Sequence, residues 1–460
     1  MKKTFYLGII FFICIFLAGC SLIPQPKSKT SNKKIVMPDE DTNSPLDAKV
    51  VVGSIWKTID GGHNFQSKSK KDPEFVAMIK AQEESKKNTK SEKKPDDGRN
   101  ENSNGIIDNT VKTKAQTKEG DWISTADILS IAFHPQKQNI LFVSTANDGL
   151  FKTENGGEFW KPIPFPPKNV YSFIIDASDP DNRMLASGVV GEWGKIFRTK
   201  DGGTNWEEVY TEPGEKVPIT ALAQHSKNFA IILAGTKNGT VIKSIDRGDT
   251  WKNVGQLEDY KDFKTGKTIV GKKITGNVSD FAFDSTNESI VYMVTYGNKL
   301  YYSRNIGDRW LDWEFEKNRE LAKMKIDKVS SEKIKAFQER MKKEAMPRGI
   351  VSIVADPKIS GTLYVGTTRG FFVSTSYGKW WKELNTIESA RRFPIRSTAV
   401  NPKNSNEIVF VSGKAFYKSI NSGKTWETVG LNVNRDAAFV AYDPFDSNIL
   451  LLGLRQFGKK

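Results

Sequence analysis

Cysteine and histidine are nearly absent from this 460-residue chain, which holds 2 of the former and 3 of the latter. A disulfide framework and a four-cysteine zinc site are excluded by counting, and no two histidines have the HExxH spacing of a zinc hydrolase. Catalysis, if present, would fall to carboxylates, hydroxyls, Lys or Arg, and no cofactor is implied. Acidic charge is in deficit: 54 Asp and Glu against 69 Lys and Arg leave a net charge of +15, which favours acidic surroundings. Apolar material is plentiful, at 38% hydrophobic and 11% aromatic with 11 Trp, too much to leave solvated. The strongly polar stretches are therefore expected to be linkers or insertions around a core.

The amino end is a targeting segment. Lys2 and Lys3 precede the apolar run Phe5–Leu17, which has the length of a secretory signal and is short for a permanent bilayer span. It closes on Leu17-Ala18-Gly19-Cys20, which resembles the bacterial lipobox. Small residues there admit the signal peptidase, and Cys20 offers the thiol that takes a diacylglycerol. The resemblance implies removal of residues 1–19 and a lipid anchor at Cys20, held by about 0.8 kcal/mol per buried CH2. The alternative is an ordinary signal peptide with a chance cysteine. Residues 20–48, with Pro24, Pro26, Pro38 and Pro45 among Ser, Thr, Asn and Lys, read as a flexible tether. The expected location is a cell membrane or outer membrane, facing the periplasm or the exterior.

The body, residues 49–460, is a repeat. The pattern [Ser/Thr]-x-[Asp/Asn]-x-Gly-x-x-[Trp/Phe] occurs at Thr58–Phe65, Thr153–Trp160, Thr199–Trp206, Ser244–Trp251, Ser303–Trp310, Ser374–Trp381 and Ser419–Trp426. Its third position holds Asp60, Asn155, Asp201, Asp246, Asn305, Ser376 and Asn421; its fifth holds Gly62, Gly157, Gly203, Gly248, Gly307, Gly378 and Gly423. A β-rich segment precedes each copy and a short polar-apolar one follows, so each copy is a hairpin turn. Gly supplies positive φ, the Asp or Asn side chain accepts from turn amides, the hydroxyl ties the turn further, and the Trp packs between sheets. The pattern resembles the Asp-box, or BNR repeat, of sialidases, sortilin-type domains, xyloglucanases and photosystem II assembly factors. That resemblance implies a box between the third and fourth strands of a propeller blade, away from any active site.

Two more strand signals lie upstream of most boxes, as in Ile128–Phe133 with Ile140–Val143, so the unit is four strands in about 45 residues. The first box lacks the upstream pair, and the carboxyl end carries such a pair without a box. The expected fold is therefore all-β: a single seven-bladed propeller whose closing blade is shared by the two ends of the chain. Three long intervals mark insertions. Residues 66–121 are expected to be mostly disordered, with a helix from Pro73 to about Ser85 capped by Asp72. Residues 256–277 read as a hairpin around Thr265–Thr268, whose Gly-Lys-Thr lacks the first glycine of a phosphate loop. Residues 316–346 read as helical, with Ile334, Phe337 and Met341 on one face. All three join a last strand to the next first strand, which is expected to put them on the face opposite the boxes.

The likeness to single propellers of the photosystem II assembly-factor type implies a non-catalytic scaffold that holds a protein, or a glycan, outside the cytoplasm. Candidate binding residues opposite the boxes are Arg348, Arg369, Arg391, Arg392, Arg396 and Arg435, with Trp193 and Lys237; ordinary solvated charges or ion-pair partners are the alternative for each. A sialidase-like or xyloglucanase-like glycoside hydrolase is the competing reading, although Arg392-Phe393-Pro394-Ile395-Arg396 has the wrong order for the sialidase signature. No metal site is expected, with His63, His134 and His225 in unrelated turn or strand-end settings. Nucleic acid is not expected as a partner, since no interleaved basic and aromatic pattern occurs.

Overall fold

The structure, a computed structural model, describes residues 53–90, 123–296, 299–387 and 392–457. The lipobox with Cys20, the tether 20–48, the greater part of the 66–121 insertion and Arg391 lie outside the described residues.

Seven four-stranded antiparallel sheets follow one another along the chain. Blade 1 runs through Ile128–Phe133, Leu141–Thr145, Leu150–Thr153 and Lys161–Ile163. Blades 2 to 6 span 172–215, 219–253, 278–312, 350–384 and 395–430. Blade 7 takes Asp436–Tyr442 and Leu450–Arg455 from the carboxyl end and Ile55–Thr58 and Gln66–Ser67 from the amino end. Ile55 stands opposite Gly453 and Thr58 opposite Leu450, so the two ends share one sheet. Consecutive first strands neighbour each other round the ring, including Asp436–Tyr442 beside Ile128–Phe133. The fold is the seven-bladed propeller with a shared closing blade. Second strands such as Leu141–Thr145, Val291–Thr295 and Leu363–Thr367 are buried throughout, because each is covered on both faces by adjacent blades.

Each Asp-box is the turn between a third and a fourth strand, and its bonds are local. The box hydroxyl accepts the N–H of the box glycine in all seven copies, from 2.7 Å at Ser244 to 3.2 Å at Thr58. The third residue accepts the N–H four positions on, as Asp201 does from Asn205 at 2.9 Å and Ser376 from Trp380 at 2.9 Å. The box glycines have φ of +77° to +103°, and at Gly378 a Cβ would stand 2.3 Å from Leu300 of the preceding blade. The residue before each glycine is left-handed too: Gly61, Gly156 and Gly202, but also Arg247, Ile306, Tyr377 and Ser422 with φ of +56° to +60°. Its N–H donates to the turn joining the first and second strands of the same blade, as Gly202 does to Asn182 and Ile306 to Ser289. That cross-turn bond fixes the backbone even where a side chain makes it unfavourable.

A second repeat lies in the turns that receive those bonds. His134, Asp176, His225, Asp284, Asp356, Asn401 and Asp443 are all at most 3% exposed, one per blade. Each side chain accepts turn amides: Asp443 from Phe445 and Asp446, Asn401 from Lys403, His225 Nδ1 from Lys227 and Asn228. His134 and His225 thus hold equivalent places in blades 1 and 3, which corrects the expectation that their settings are unrelated. Neutral imidazole Nδ1 replaces a carboxylate oxygen as acceptor, and burial holds His134 below its ordinary pKa. Several of these groups also reach the next blade, as Asp284 does by accepting from Gly361 at 2.8 Å and Asn401 from Ser447 at 2.9 Å.

The insertions do not lie on the face opposite the boxes. After the fourth strand of blade 7, residues 68–72 run beside the blade 1 box, where Trp160 donates its N–H to Lys70 and accepts from Asp72, both at 3.0 Å. Residues 256–258 do the same for Trp310, at 3.1 and 2.8 Å. Helix α1, Pro73–Lys90, begins behind Asp72, whose carboxylate accepts the Glu74 N–H. The hairpin pairs Tyr260–Lys261 with Thr268–Ile269. Helices α2, Trp313–Ile326, and α3, Ser331–Lys343, pack on the box of blade 5: the Trp313 indole donates to the Tyr377 carbonyl, Lys379 pairs with Glu320 at 2.9 Å, and Arg340 lies 4.3 Å from the Trp380 ring. The physical reason is the brevity of the fourth strands. Leu311–Asp312 spans two residues, too few to carry the chain across the blade before α2 starts.

Candidate protein-binding face

Turns between second and third strands, together with the last residues of each link before the next first strand, form the face opposite the boxes. Arg396 sits there for a local reason. It is the second residue of the first strand of blade 6, where the ladder skips from Ile395 to Ser397. The same one-residue bulge occurs in blades 1, 3, 4, 5 and 7, where it presents Leu129, Thr220, Ser279, Val351 and Ala438. A bulge re-aims its unpaired side chain, and only in blade 6 is that side chain charged.

Around Arg396 the two ends of ring closure meet. Its guanidinium lies 3.3 Å from the centre of the Phe457 ring, and Arg455 lies 5.2 Å from the same ring. The Nε atoms of both arginines are buried without a partner among the described residues. Asp436 approaches Arg396 only to 3.9 Å. Burial holds the Arg396 guanidinium below its ordinary pKa, with Asp436 opposing and the neighbouring Arg455 adding to the fall. Two cations gathered on one aromatic ring, with a single acidic side chain 3.9 Å from Arg396, leave a local excess of positive charge that suits an anionic group, most simply a carboxylate.

The other sequence candidates divide. Arg435 is not a free binding cation: it donates to the Ala126 carbonyl at 2.9 Å and to Asp127 at 3.1 Å, and Asp127 also accepts the Gln456 N–H at 2.7 Å. Arg435 therefore clamps the seam between blades 6, 7 and 1. Arg392 is exposed on the link into blade 6, beside Phe393. Arg369 and Lys237 occupy second-to-third turns of blades 5 and 3, Trp193 begins the third strand of blade 2 and Arg348 lies on the link into blade 5, so they are spread round the ring rather than joined to the Arg396 cluster. Sequence reasoning missed Arg455, Phe457, Asp127 and Asp436. The available signal was Arg455-Gln456-Phe457 directly after the last strand, at the point where closure brings it beside blade 6. Exposed Tyr296 at 62% and Phe393 at 50% add aromatic surface to the same face. Among the described residues, no group of three His, Cys, Asp or Glu could hold a metal ion.

These features define a BNR-type propeller that resembles photosystem II assembly factors. The family described as photosynthesis system II assembly factor YCF48 matches residues 110–259. The photosystem II assembly lipoprotein Ycf48 of Synechococcus sp. (strain CC9902) is 26% identical over 153 residues, 32% of this chain and 43% of the relative. The chloroplastic photosystem II stability/assembly factor HCF136 of Oryza sativa subsp. japonica is 22% identical over 190 residues, 41% of this chain and 42% of the relative. The matched regions thus span less than half of either curated relative. Among solved structures, the GH74 xyloglucanase from Xanthomonas campestris superposes with a TM-score of 0.53 over 72% of this chain and 51% of the enzyme, at 15% identity, a likeness of fold alone.

Proposed function

We propose that this protein is a membrane-anchored, non-catalytic scaffold that binds a protein partner outside the cytoplasm on the face opposite its boxes. The observation that carries the reading is the Arg396–Phe457–Arg455 cluster, two cations on one aromatic ring on the same face as exposed Tyr296 and Phe393. Arg and aromatic side chains that converge on a rigid surface are the composition of interface hot spots. Assembly factors among the relatives support it, and Cys20 in its lipobox supplies the anchor.

Co-purification from membranes tests the partner, with wild-type protein compared with Arg392→Ala/Arg396→Ala/Arg455→Ala. Loss of a specific protein from the variant is expected; identical partners in both samples would move the site elsewhere. Mass spectrometry of the mature amino terminus tests the anchor, with an acylated Cys20 expected. The fold likeness to a xyloglucanase keeps a glycan-binding or glycoside hydrolase reading in competition, and turnover of β-glucan or sialyl substrates by purified protein would install it instead.

A further inference from the structure

We propose that the tip of the α2–α3 helical hairpin, residues 323–335, docks on an anionic lipid surface. The tip carries Lys323, Lys325, Lys328, Lys333 and Lys335 against Asp327 and Glu332. Of the five lysines, only Lys323 forms an ion pair among the described residues, with Asp327 at 3.9 Å. At the centre of this charge stands Ile326, 49% exposed, with half-buried Met324, Val329 and Ile334 around it. The propeller gives the tip no cover. Helix α3 buries none of its residues, and its recorded ring contacts, through Phe337 and Arg340, involve Trp380 near its other end.

The chemistry of the tip selects its partner. No arginine lies between Arg319 and Arg340, so the bidentate fork that reads a fixed protein carboxylate is missing there. Lysine ammonium groups on flexible stems suit a diffuse layer of negative headgroups, with their methylenes lying along apolar material. An exposed isoleucine among them is placed to enter the headgroup boundary, as the apolar side of an interfacial helix does. The docking does not depend on acylation of Cys20. It would set the orientation of the ring at the membrane.

Sedimentation with vesicles tests the proposal, using the full chain with Cys20→Ala so that no acyl group intervenes. Partition onto mixed phosphatidylglycerol–phosphatidylcholine vesicles is expected, falling steeply with added salt and weak on phosphatidylcholine alone. Each tip lysine contributes about fivefold, so Lys325→Glu/Lys328→Glu/Lys333→Glu, which reverses three charges, should lower the partition by at least about a hundredfold. Ile326→Asp should lower it less. An unchanged thermal transition shows that the variants remain folded, since all four side chains project from the ring. Equal partition of wild type and triple variant would overturn the proposal, as would equal binding to both vesicle types. Capture of an acidic polypeptide by the tip without vesicle binding would also overturn it, in favour of a protein partner.

Discussion

Three of the seven Asp-boxes are covered by a preceding insertion and four are open, and the two groups solve the same turn differently. In the covered boxes Trp160, Trp310 and Trp381 are at most 3% exposed, whereas Phe65, Trp206, Trp251 and Trp426 in the open boxes are half-buried. The covering segments add backbone bonds to the covered tryptophans, from Lys70, Gln256 and Glu344. An insertion in this ring therefore works as an extra strap at the outer edge of the next blade.

The polar residue of the box follows the same division except in blade 6, whose open box carries Asn421 and bonds it to Thr425 at 2.8 Å. Asp occurs only in open boxes, where the seventh residue can serve the second carboxylate oxygen: Asn64 donates to Asp60 at 2.7 Å, Asn205 to Asp201 at 2.8 Å and Thr250 to Asp246 at 2.5 Å. Covered boxes carry Asn155, Asn305 and Ser376 with Phe159, Arg309 and Trp380 in the seventh place. Phe159 and Trp380 serve only through the backbone N–H, at 3.0 and 2.9 Å, so an anion there would have one oxygen short of donors.

The largest test of this contrast removes the tryptophan. Trp310→Ala deletes a side chain with no exposure and is expected to cost about 3–5 kcal/mol in denaturant unfolding, with Trp251→Ala costing roughly half as much. Equal losses would show that the cover adds no stability. A smaller effect is expected from exchanging the polar residue. Asn155→Asp places a carboxylate beside Glu154 and Glu158 with no side-chain donor for its second oxygen, the Thr153 hydroxyl and the Phe159 N–H serving the first, for a loss of about 1 kcal/mol, while Asp201→Asn in an open box should lose less. A larger loss at Asp201 would reverse the explanation.

The pH dependence sharpens the open side. Asp60 is held below its ordinary pKa, first by the Thr58 hydroxyl and then by the Asn64 amides; Asp201 likewise by the backbone and then the side chain of Asn205. A carboxylate with a depressed native pKa binds fewer protons folded than unfolded, so its stabilisation is complete above the ordinary carboxylate range and is lost as pH falls through the native value. Asp60→Asn/Asp201→Asn should therefore flatten the acid limb of melting temperature against pH and leave its neutral slope unchanged. The smallest effect concerns backbone strain. Ile306 holds φ of +56°, so Ile306→Gly is expected to gain up to about 1 kcal/mol, whereas Gly202→Ala at the matching open-box position should lose stability. A destabilised Ile306→Gly would mean that its side chain contributes packing beyond the turn.

Much of the architecture was legible because its signals are short-range. The bonds from the box hydroxyl and from the third-position side chain to turn amides join residues at most four apart, so that part of the turn chemistry stands in the sequence as a pattern. The second repeat escaped notice because a buried acceptor can be Asp, Asn or His, and three residue types do not read as one motif until they share a place in the blade. The insertions were expected on the wrong face, since sequence distance does not reveal that a fourth strand stops after two residues.

The sequence by itself determined the blade count, the position of each box and the closure of the ring by both ends, because each depends on local turn bonds and on strands that are incomplete alone. Only the tertiary structure decided which arginines act together. Arg435 meets Asp127 across a separation of 308 residues, and Arg455 joins Arg396 only where the last strand pairs beside blade 6. Such contacts follow from the closed circle rather than from any neighbouring residue, so the chain must complete the ring before one cation is neutralised and another pair is gathered on the Phe457 ring.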